Sequence, residues 1–241
     1  MKYCRWKNLN FVLGERSEIL NHLLTSMMNN KLFIVTANMQ ILDRFMNDDV
    51  YRKCLERASF VVPDGVGAKL LLKKVANVSV PRYPGVELMQ DLCSKAVEEG
   101  LKVYLLGARK EVVIKTAEVL NTKHSRKIVV GYHHGYFDEG EEQDLVDEIN
   151  NSEADMLFVG MGVPKQEEFI CRNMDRLNVK LMMGVGGSFD VISGTKTRAP
   201  AFMRNLGLEW LYRMLQEPHK RYKVMGQFCR FAFRLLKEGR E

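Results

Sequence analysis

Length, composition and charge exclude several classes of protein. The chain has 241 residues, 46% of them hydrophobic and 27% charged, which is the composition of a folded globular protein and not of a disordered one. No stretch approaches the roughly 18 consecutive apolar residues of a membrane span, and the first residues lack the apolar core of a signal peptide, so we expect a cytoplasmic protein. Five scattered cysteines without a Cys-x-x-Cys pair indicate neither a disulfide framework nor a thiolate metal site.

Positive charge is concentrated at the end of the chain. Residues 195–241 contain eleven Lys or Arg and four Glu, a net charge of +7, whereas the whole chain carries +6 and the first 194 residues therefore carry −1. This asymmetry predicts two parts: an α/β core at 1–194 and a basic C-terminal appendage at 195–241.

The spacing of apolar residues predicts alternating strands and helices. In chain order we expect a strand at Asn8–Val12, a helix at Glu15–Met28, a strand at Lys31–Val35, one helix or two short ones in Met39–Leu55, a strand at Phe60–Val62, helices at Val66–Lys74 and Val86–Glu99, a strand at Leu101–Leu106, a helix at Glu111–Leu120, a strand at Lys127–Tyr132, a helix at Glu141–Asn151, a strand at Asp155–Val159, a helix at Pro164–Asn173 and a strand at Val179–Met183. Such alternation through short loops predicts a Rossmann-like, doubly wound, mainly parallel sheet, with its Gly-bearing loops at one edge.

A single carboxylate follows the strand that ends at Val62. Pro63 interrupts the ladder, and Asp64 comes directly before Gly65. Ligands of open α/β sheets bind beyond the carboxyl ends of the strands, so Asp64 is a candidate general base. The alternative is ordinary turn chemistry, in which Asp64 bonds to its own backbone and Gly65 supplies a positive φ.

Other polar residues occupy similar positions. Thr36 and Asn38 follow the strand at Lys31–Val35, where a ligand would meet the strand end. Arg82, the one arginine in a Pro-rich loop, is either a phosphate ligand or simply solvated. Gln166 has the donor and acceptor to bind a uracil or a sugar, although Gln is also an ordinary residue for a first helical turn.

Glycines at four strand ends, including Gly107, Gly162 and Gly186, predict a nucleotide ligand, because they let the backbone approach a phosphate closely. No Gly-x-Gly-x-x-Gly or Walker A motif occurs, which argues against a dehydrogenase. No Asp-x-Asp motif occurs, and the pair His133-His134 is more typical of loop hydrogen bonding than of a metal site, so we expect neither a metal nor a cofactor.

The basic appendage predicts two helices broken near Pro218. The second has basic residues at Lys223, Arg230, Arg234 and Lys237, an apolar stripe at Tyr222, Met225, Cys229, Ala232 and Leu236, and further aromatics at Phe228, Phe231 and Phe233. A basic amphipathic helix of this kind is suited to an anionic membrane surface. Packing on the core is the main alternative, and the many aromatics argue against nucleic acid.

As an ordered set, the motifs resemble one family. They are Thr36-Ala-Asn38, Val62-Pro-Asp64-Gly-Val-Gly67, Arg82-x-x-Gly85, Leu105-Leu-Gly107, the segments 131–137, 159–167 and 184–190, Arg198-Ala-Pro200 and the segment 206–213. From about residue 10 to its end the sequence is similar to the WecG/TagA/CpsF glycosyltransferases, family twenty-six of the sequence-based classification.

The resemblance implies an inverting, metal-independent transferase with a Rossmann-like core. Members of the TagA branch move N-acetylmannosamine from UDP-N-acetylmannosamine to undecaprenyl-diphosphate-linked N-acetylglucosamine, which makes the linkage unit of wall teichoic acid. The resemblance further implies that Asp64 is the base and that the appendage completes the site at the inner face of the bacterial membrane. The residues that it implies for the sugar-nucleotide pocket are Thr36, Asn38, Arg82, Gln166 and Asp190.

Together these arguments predict how the site works. Thr36 and Asn38 would orient the sugars, and Arg82 would neutralise the departing UDP. We expect help with that charge from three residues of the appendage, Arg213, Arg221 and Lys223. Two alternatives stay open at this point: another UDP-hexose donor, such as UDP-N-acetylmannosaminuronic acid, or a non-catalytic UDP-sugar-binding membrane adaptor. The sequence also leaves open whether the protein is a homo-oligomer.

Overall fold

One eight-stranded sheet forms the centre of the protein. The computed structural model describes residues 1–205, 209–216, 226, 230–231 and 233–235. Its strands are β1 (Lys2–Trp6), β2 (Leu9–Leu13), β3 (Leu32–Ala37), β4 (Phe60–Pro63), β5 (Val103–Gly107), β6 (Val129–His133), β7 (Met156–Gly160) and β8 (Leu181–Gly184). Their order across the sheet is β1-β2-β4-β3-β8-β7-β5-β6. Among the strands of the described residues, only β1 and β2 pair in antiparallel fashion, so the predicted mainly parallel α/β fold is confirmed.

Helices cover both faces of the sheet. They are α1 (Arg16–Asn29), α2 (Met39–Asn47), α3 (Asp49–Leu55), α4 (Gly65–Ala76), α5 (Gly85–Glu99), α6 (Lys110–Lys123), α7 (Glu142–Asn151), α8 (Lys165–Asn173), α9 (Ser188–Ile192), α10 (Ala201–Asn205) and α11 (Glu209–Gln216). Side chains alternate between the faces of a strand, so Phe33 and Val35 of β3 join one buried cluster and Leu32 and Ile34 join the other. Helices α2, α3, α4, α7 and α8 contribute to the first cluster, and α1, α5 and α6 to the second.

Most predicted element ends lie within two residues of the observed ones, but β1 was missed. The turn between β1 and β2 is made by Lys7 and Asn8, with φ of 45° and 66°. Two-residue hairpins with positive φ are usually marked by Asn-Gly or Asp-Gly, and Lys-Asn does not carry that signal. The predicted break in Met39–Leu55 is confirmed, since Asp48 ends α2 and its side chain accepts the Tyr51 amide as the N-cap of α3.

Part of the described C-terminal appendage packs against the core. Phe231 and Leu235 are 2% and 8% exposed and belong to the same buried cluster as Phe45 of α2. Arg230 forms an ion pair with Asp43 over 3.2 Å. Packing on the core, the alternative to membrane contact, is therefore observed for these residues, whereas the boundary at residue 194 and the membrane contact stay predictions.

The predicted break at Pro218 lies outside the described residues. Before it, α11 ends at Gln216. No helix in the described ranges combines the length and the apolar character that crossing a bilayer requires.

Candidate active site

A cavity of about 280 Å³ opens at the carboxyl ends of β3, β4, β7 and β8. It is lined by the residues that follow each of these strands, by the loop that precedes α5 and by the first residues of α11. Parallel strands bring these loops to one edge of the sheet, which is where open α/β sheets bind ligands. Residues from six separate stretches of the sequence thus meet in one place.

Asp64 lies between β4 and α4 and is half-buried in this cavity. It occupies the N-cap position of α4, but its side chain makes no capping hydrogen bond to that helix. Instead, the backbone amide of Gly85 donates a hydrogen bond to its Oδ2 atom over 3.3 Å. The turn-chemistry alternative is thus half right: Gly65 does supply a positive φ of 84°, but the Asp64 carboxylate does not cap α4 and is contacted by the start of a different helix.

Thr36 lies beside Asp64 at the end of β3. It is 6% exposed, and its Oγ1 donates a hydrogen bond to the carbonyl oxygen of Gly184 over 3.4 Å. Gly85 approaches it closely, because a Cβ atom added to Gly85 would lie 2.9 Å from Thr36 Oγ1. Gly85 therefore contacts both predicted catalytic residues, and any side chain at this position would force a local shift.

Asn38 also lines the cavity, but its side chain has a structural role in addition. Its Oδ1 atom accepts the backbone amide of Ile41 over 3.1 Å, which caps α2. An Asn cap of this kind typically contributes about 1 kcal/mol to the stability of a helix. A substitution of Asn38 would therefore change stability and ligand contact together.

Arg82 is not a solvated loop arginine. Its side chain is 15% exposed, and its Nη1 atom lies 3.9 Å from Oε2 of Glu209 in α11. Arg198 lies 3.8 Å from the other carboxylate oxygen of Glu209 and forms an ion pair with Glu87 over 2.5 Å. Arg16 forms a second ion pair with Glu87, also over 2.5 Å. These ion pairs connect α1, α5 and α11 around Arg82, the arginine that was predicted to bind phosphate.

Gln166 connects two of the glycine loops. Its Oε1 atom accepts the backbone amide of Gly162 over 3.2 Å and that of Gly186 over 2.8 Å, and its Nε2 atom donates to Glu167 over 2.6 Å. An amide oxygen has two lone pairs, so the carbonyl end of Gln166 is satisfied by the protein. Gln166 also lines the cavity, so its direct contact with the ligand stays a prediction, and the structure adds a second role in holding these loops.

Glu167 is a buried carboxyl that the sequence did not single out. It is 1% exposed, and burial raises the pKa of its carboxyl to about 7, although the hydrogen bond from Gln166 opposes the shift. The nearby carboxylate in turn adds to the effect of burial in raising the pKa of the Tyr51 phenol. This buried pair lies directly behind the wall of the cavity that Gln166 forms.

Two predicted binding residues lie outside the cavity. Gly107 ends β5, and a Cβ atom added to it would lie 2.5 Å from the backbone of Gly160, so packing between adjacent strands explains this glycine. Asp190 lies in α9, with a carboxylate oxygen 3.7 Å from Nζ of Lys196. Neither residue lines this cavity, and their contact with a ligand stays a prediction. Gly162 and Gly186, by contrast, line the cavity with positive φ of 80° and 52°.

The appendage residues are only partly placed. Arg213 belongs to α11, whose first residues Glu209 and Trp210 line the cavity. Arg221 and Lys223 lie outside the described residues. Glu209 and Trp210 were not predicted as site residues, although they belong to the motif at 206–213 that the sequence offered.

The described residues offer no group of three His, Cys, Asp or Glu side chains that could hold a metal ion. The ring nitrogen Nδ1 of His133 pairs with the carbonyl oxygen of His134 over 2.8 Å, as expected for a loop. The absence of a metal and of a cofactor stays a prediction.

Comparison with known proteins agrees with the motifs. The sequence profile described as "Glycosyl transferase WecG/TagA/CpsF family" matches residues 7–241. Proteins named N-acetylglucosaminyldiphosphoundecaprenol N-acetyl-beta-D-mannosaminyltransferase from Staphylococcus aureus strains MW2, NCTC 8325 / PS 47 and COL are each 37% identical over 212 residues, which are 88% of this chain and 82% of each relative. The chain therefore belongs to the WecG/TagA/CpsF family of glycosyl transferases.

Proposed function

We propose that the protein transfers N-acetylmannosamine from UDP-N-acetylmannosamine to N-acetylglucosamine linked to undecaprenyl diphosphate. The names of the relatives, which share 37% identity over most of the chain, support this choice of sugar and acceptor. The observation that carries the proposal is the convergence of Asp64, Thr36 and Arg82 on one cavity at the strand ends.

Asp64 is the general base of this reaction. It takes the proton from the acceptor hydroxyl, whose oxygen forms a bond to the anomeric carbon of the donor sugar. The bond from that carbon to the β-phosphate oxygen breaks, its electron pair stays on UDP, and the configuration inverts. A positioned carboxylate of this kind typically accelerates proton transfer by about 10²–10⁴-fold. The hydrogen bond from the Gly85 amide supports this role, because it holds the carboxylate at the cavity wall.

Arg82 neutralises the charge that develops on UDP. Its guanidinium is mostly shielded from water, and charge-assisted hydrogen bonds are stronger there than at an exposed surface. Glu209 lies near the same guanidinium, so diphosphate binding would place a second anion at Arg82. We expect Arg213, Arg221 and Lys223 to contribute further positive charge.

The acceptor carries a long lipid, so transfer takes place at a membrane surface. The net charge of +7 in residues 195–241 supports attraction to anionic lipid at the inner face of the bacterial membrane. Phe233, which is 59% exposed on the appendage, is a candidate for entry into the interface.

Product analysis tests this proposal. Purified protein is incubated with undecaprenyl-diphosphate N-acetylglucosamine, EDTA and one of three donors: UDP-N-acetylmannosamine, UDP-N-acetylmannosaminuronic acid or UDP-N-acetylglucosamine. We expect mass spectrometry to find a lipid extended by one N-acetylmannosamine with the first donor only. Extension only with the uronic acid would contradict the choice of sugar, and binding of the donors without any extension would contradict catalysis.

A further inference from the structure

The amide of Gln166 has only one orientation that fits its surroundings. On one side, the backbone N–H groups of Gly162 and Gly186 can only donate, so they require the oxygen end. On the other side, Oε1 of Glu167 accepts a hydrogen bond from Nε2 of Gln166 over 2.6 Å, and an ionised carboxylate can only accept, so it requires the nitrogen end. A flipped amide would place the NH₂ group of Gln166 against the backbone N–H groups of Gly162 and Gly186, and its oxygen against the carboxylate of Glu167.

Gln166 is packed closely against the end of β8. Gln166 is 2% exposed, and a Cβ atom added to Gly184 would lie 2.6 Å from its Nε2. The amide therefore fills the space at the end of β8. Its hydrogen bonds to Gly162 and Gly186 join the loops after β7 and β8, which form one wall of the cavity.

We infer that Glu167 is a positioning residue for the sugar-nucleotide, because its carboxylate fixes the orientation of Gln166 and thereby the shape of the two glycine loops that line the cavity. This inference rests on the proposed function, since it assigns the ligand of those loops. Glu167 itself does not line the cavity, so it acts through Gln166.

Glu167 titrates in the range where the protein would work. Burial raises the pKa of its carboxyl to about 7, and the nearby Glu168 carboxylate adds to the shift. The titratable neighbours of Glu167 are Tyr51 and Cys54 of α3 and Glu168 of α8. Arg44 of α2 lies beside Tyr51, and Cys171 of α8 lies beside Cys54. Burial raises the pKa of the Tyr51 phenol and of the Cys54 thiol, so neither ionises near pH 7. Protonation of Glu167 below pH 7 would weaken the charge-assisted bond from Gln166.

Binding of UDP to four proteins tests the inference: the wild type, Glu167→Leu, Glu167→Gln and the matched control Glu168→Leu. Calorimetry gives the Kd at pH 8, and thermal unfolding shows that each variant is folded. Glu167→Leu removes the acceptor of the Gln166 amide, and we expect the Kd to rise about 10-fold. Glu167→Gln keeps an acceptor oxygen and should stay within about threefold of the wild type, as should Glu168→Leu, which removes a carboxylate that is not bonded to Gln166.

A second measurement keeps the inference testable if Glu167→Leu fails to fold. The Kd for UDP is measured from pH 5.5 to pH 8 for the wild type and for Glu167→Gln, in which position 167 no longer titrates. The terminal phosphate of UDP titrates equally in both experiments, so it cancels from the ratio of the two Kd values. We expect the wild type to weaken relative to Glu167→Gln below about pH 7.

Three results would overturn the inference. They are an unchanged Kd in folded Glu167→Leu, an equal loss in Glu167→Leu and Glu168→Leu, or a ratio of wild-type to Glu167→Gln Kd that does not change with pH. Absence of UDP binding by the wild type would instead overturn the proposed function, on which the inference rests.

Discussion

The backbone amide of Gly85 donates a hydrogen bond to Oδ2 of Asp64 over 3.3 Å. Gly85 is the first residue of α5, and Asp64 precedes α4, so the contact joins the starts of two helices. The positive end of the α5 dipole thus lies at the proposed base. Because the base is held by backbone, its position depends on how closely α5 approaches β3.

Gly85→Ala should lower turnover without unfolding the protein. The new Cβ would lie 2.9 Å from Thr36 Oγ1, so residue 85 or Thr36 must shift, and we expect this to disturb the hydrogen bond from the amide of residue 85 to Asp64. Small displacements of a catalytic group cost about 10–100-fold in rate, and we expect a loss of kcat in that range. Steady-state kinetics measures it, with thermal unfolding as the check on folding.

A double-mutant cycle tests the cause of that loss. Thr36→Ala removes the atom with which the new methyl group collides. Gly85→Ala should therefore cost less in the Thr36→Ala background than in the wild type. An equal cost in both backgrounds would show that the contact with Thr36 is not responsible.

Arg82→Ala should weaken the binding of UDP more than that of uridine. The guanidinium is proposed to contact the diphosphate, and loss of a charge-assisted hydrogen bond of about 1.5–3 kcal/mol corresponds to roughly 10–100-fold in Kd. Arg172→Ala is the matched control, because Arg172 forms an ion pair with Glu142 over 2.7 Å away from the cavity. An equal loss of affinity for uridine and UDP in Arg82→Ala would contradict a contact between Arg82 and the diphosphate.

Alanine substitutions at Phe231 and Phe233 should distinguish the packing of the appendage on the core from its contact with the membrane. Phe231 is 2% exposed, so Phe231→Ala should destabilise the protein by about 3–5 kcal/mol in urea unfolding. Phe233 is 59% exposed, so Phe233→Ala should change stability by less than about 0.5 kcal/mol yet reduce cosedimentation with anionic vesicles. Unchanged vesicle binding by Phe233→Ala would exclude this side chain from the interface.

Stability should depend on pH through Glu167. Its pKa is raised from an ordinary value of 4.5 to about 7, so between these values the native state binds more protons than the unfolded state. The contribution of Glu167 to stability therefore falls as the pH rises from 4.5 to 7. Glu167→Gln lacks this titration and should gain about 3 kcal/mol relative to the wild type over the same range. Urea unfolding at several pH values measures the difference.

Glu142 provides a control, because the pKa of its carboxyl is shifted in the opposite direction and its effect on stability should change with pH in the opposite sense. Burial acts to raise the pKa of Glu142, but hydrogen bonds from Arg172 and Asn173 leave it below its ordinary value. Its contribution to stability is thus present near neutral pH and is lost as the pH falls. Glu142→Gln should accordingly approach the wild type in stability at low pH. The same trend with pH in both variants would contradict the assignment of the two carboxyls.

The sequence predicts the part of the site that depends on strand ends. Asp64, Thr36 and Gln166 directly follow strands or begin the next helix, so parallel order alone brings them to one edge. Glycines at strand ends are less informative about which residues line the cavity. Gly107 and Gly162 look alike in the sequence, yet one is required by strand packing and the other lines the cavity.

Contacts between distant segments could not be predicted in this way. Glu209 reaches Arg82, and Phe231 enters the core, because of how the end of the chain folds back, and no local pattern encodes that path. Helical periodicity placed Phe231 beside the apolar stripe and not within it. The burial of Glu167 was equally hidden, since Glu is an ordinary residue in the first turn of a helix.

The role of Asp64 is tested most directly by acceptor-dependent release of UDP from Asp64→Asn. The assay contains UDP-N-acetylmannosamine, undecaprenyl-diphosphate N-acetylglucosamine and EDTA, and the Kd for UDP is measured in parallel. We expect the variant to fold, to bind UDP like the wild type and to lose about 10²–10⁴-fold in turnover. Wild-type turnover by Asp64→Asn would contradict the account, because the proton of the acceptor would then have to go to another group.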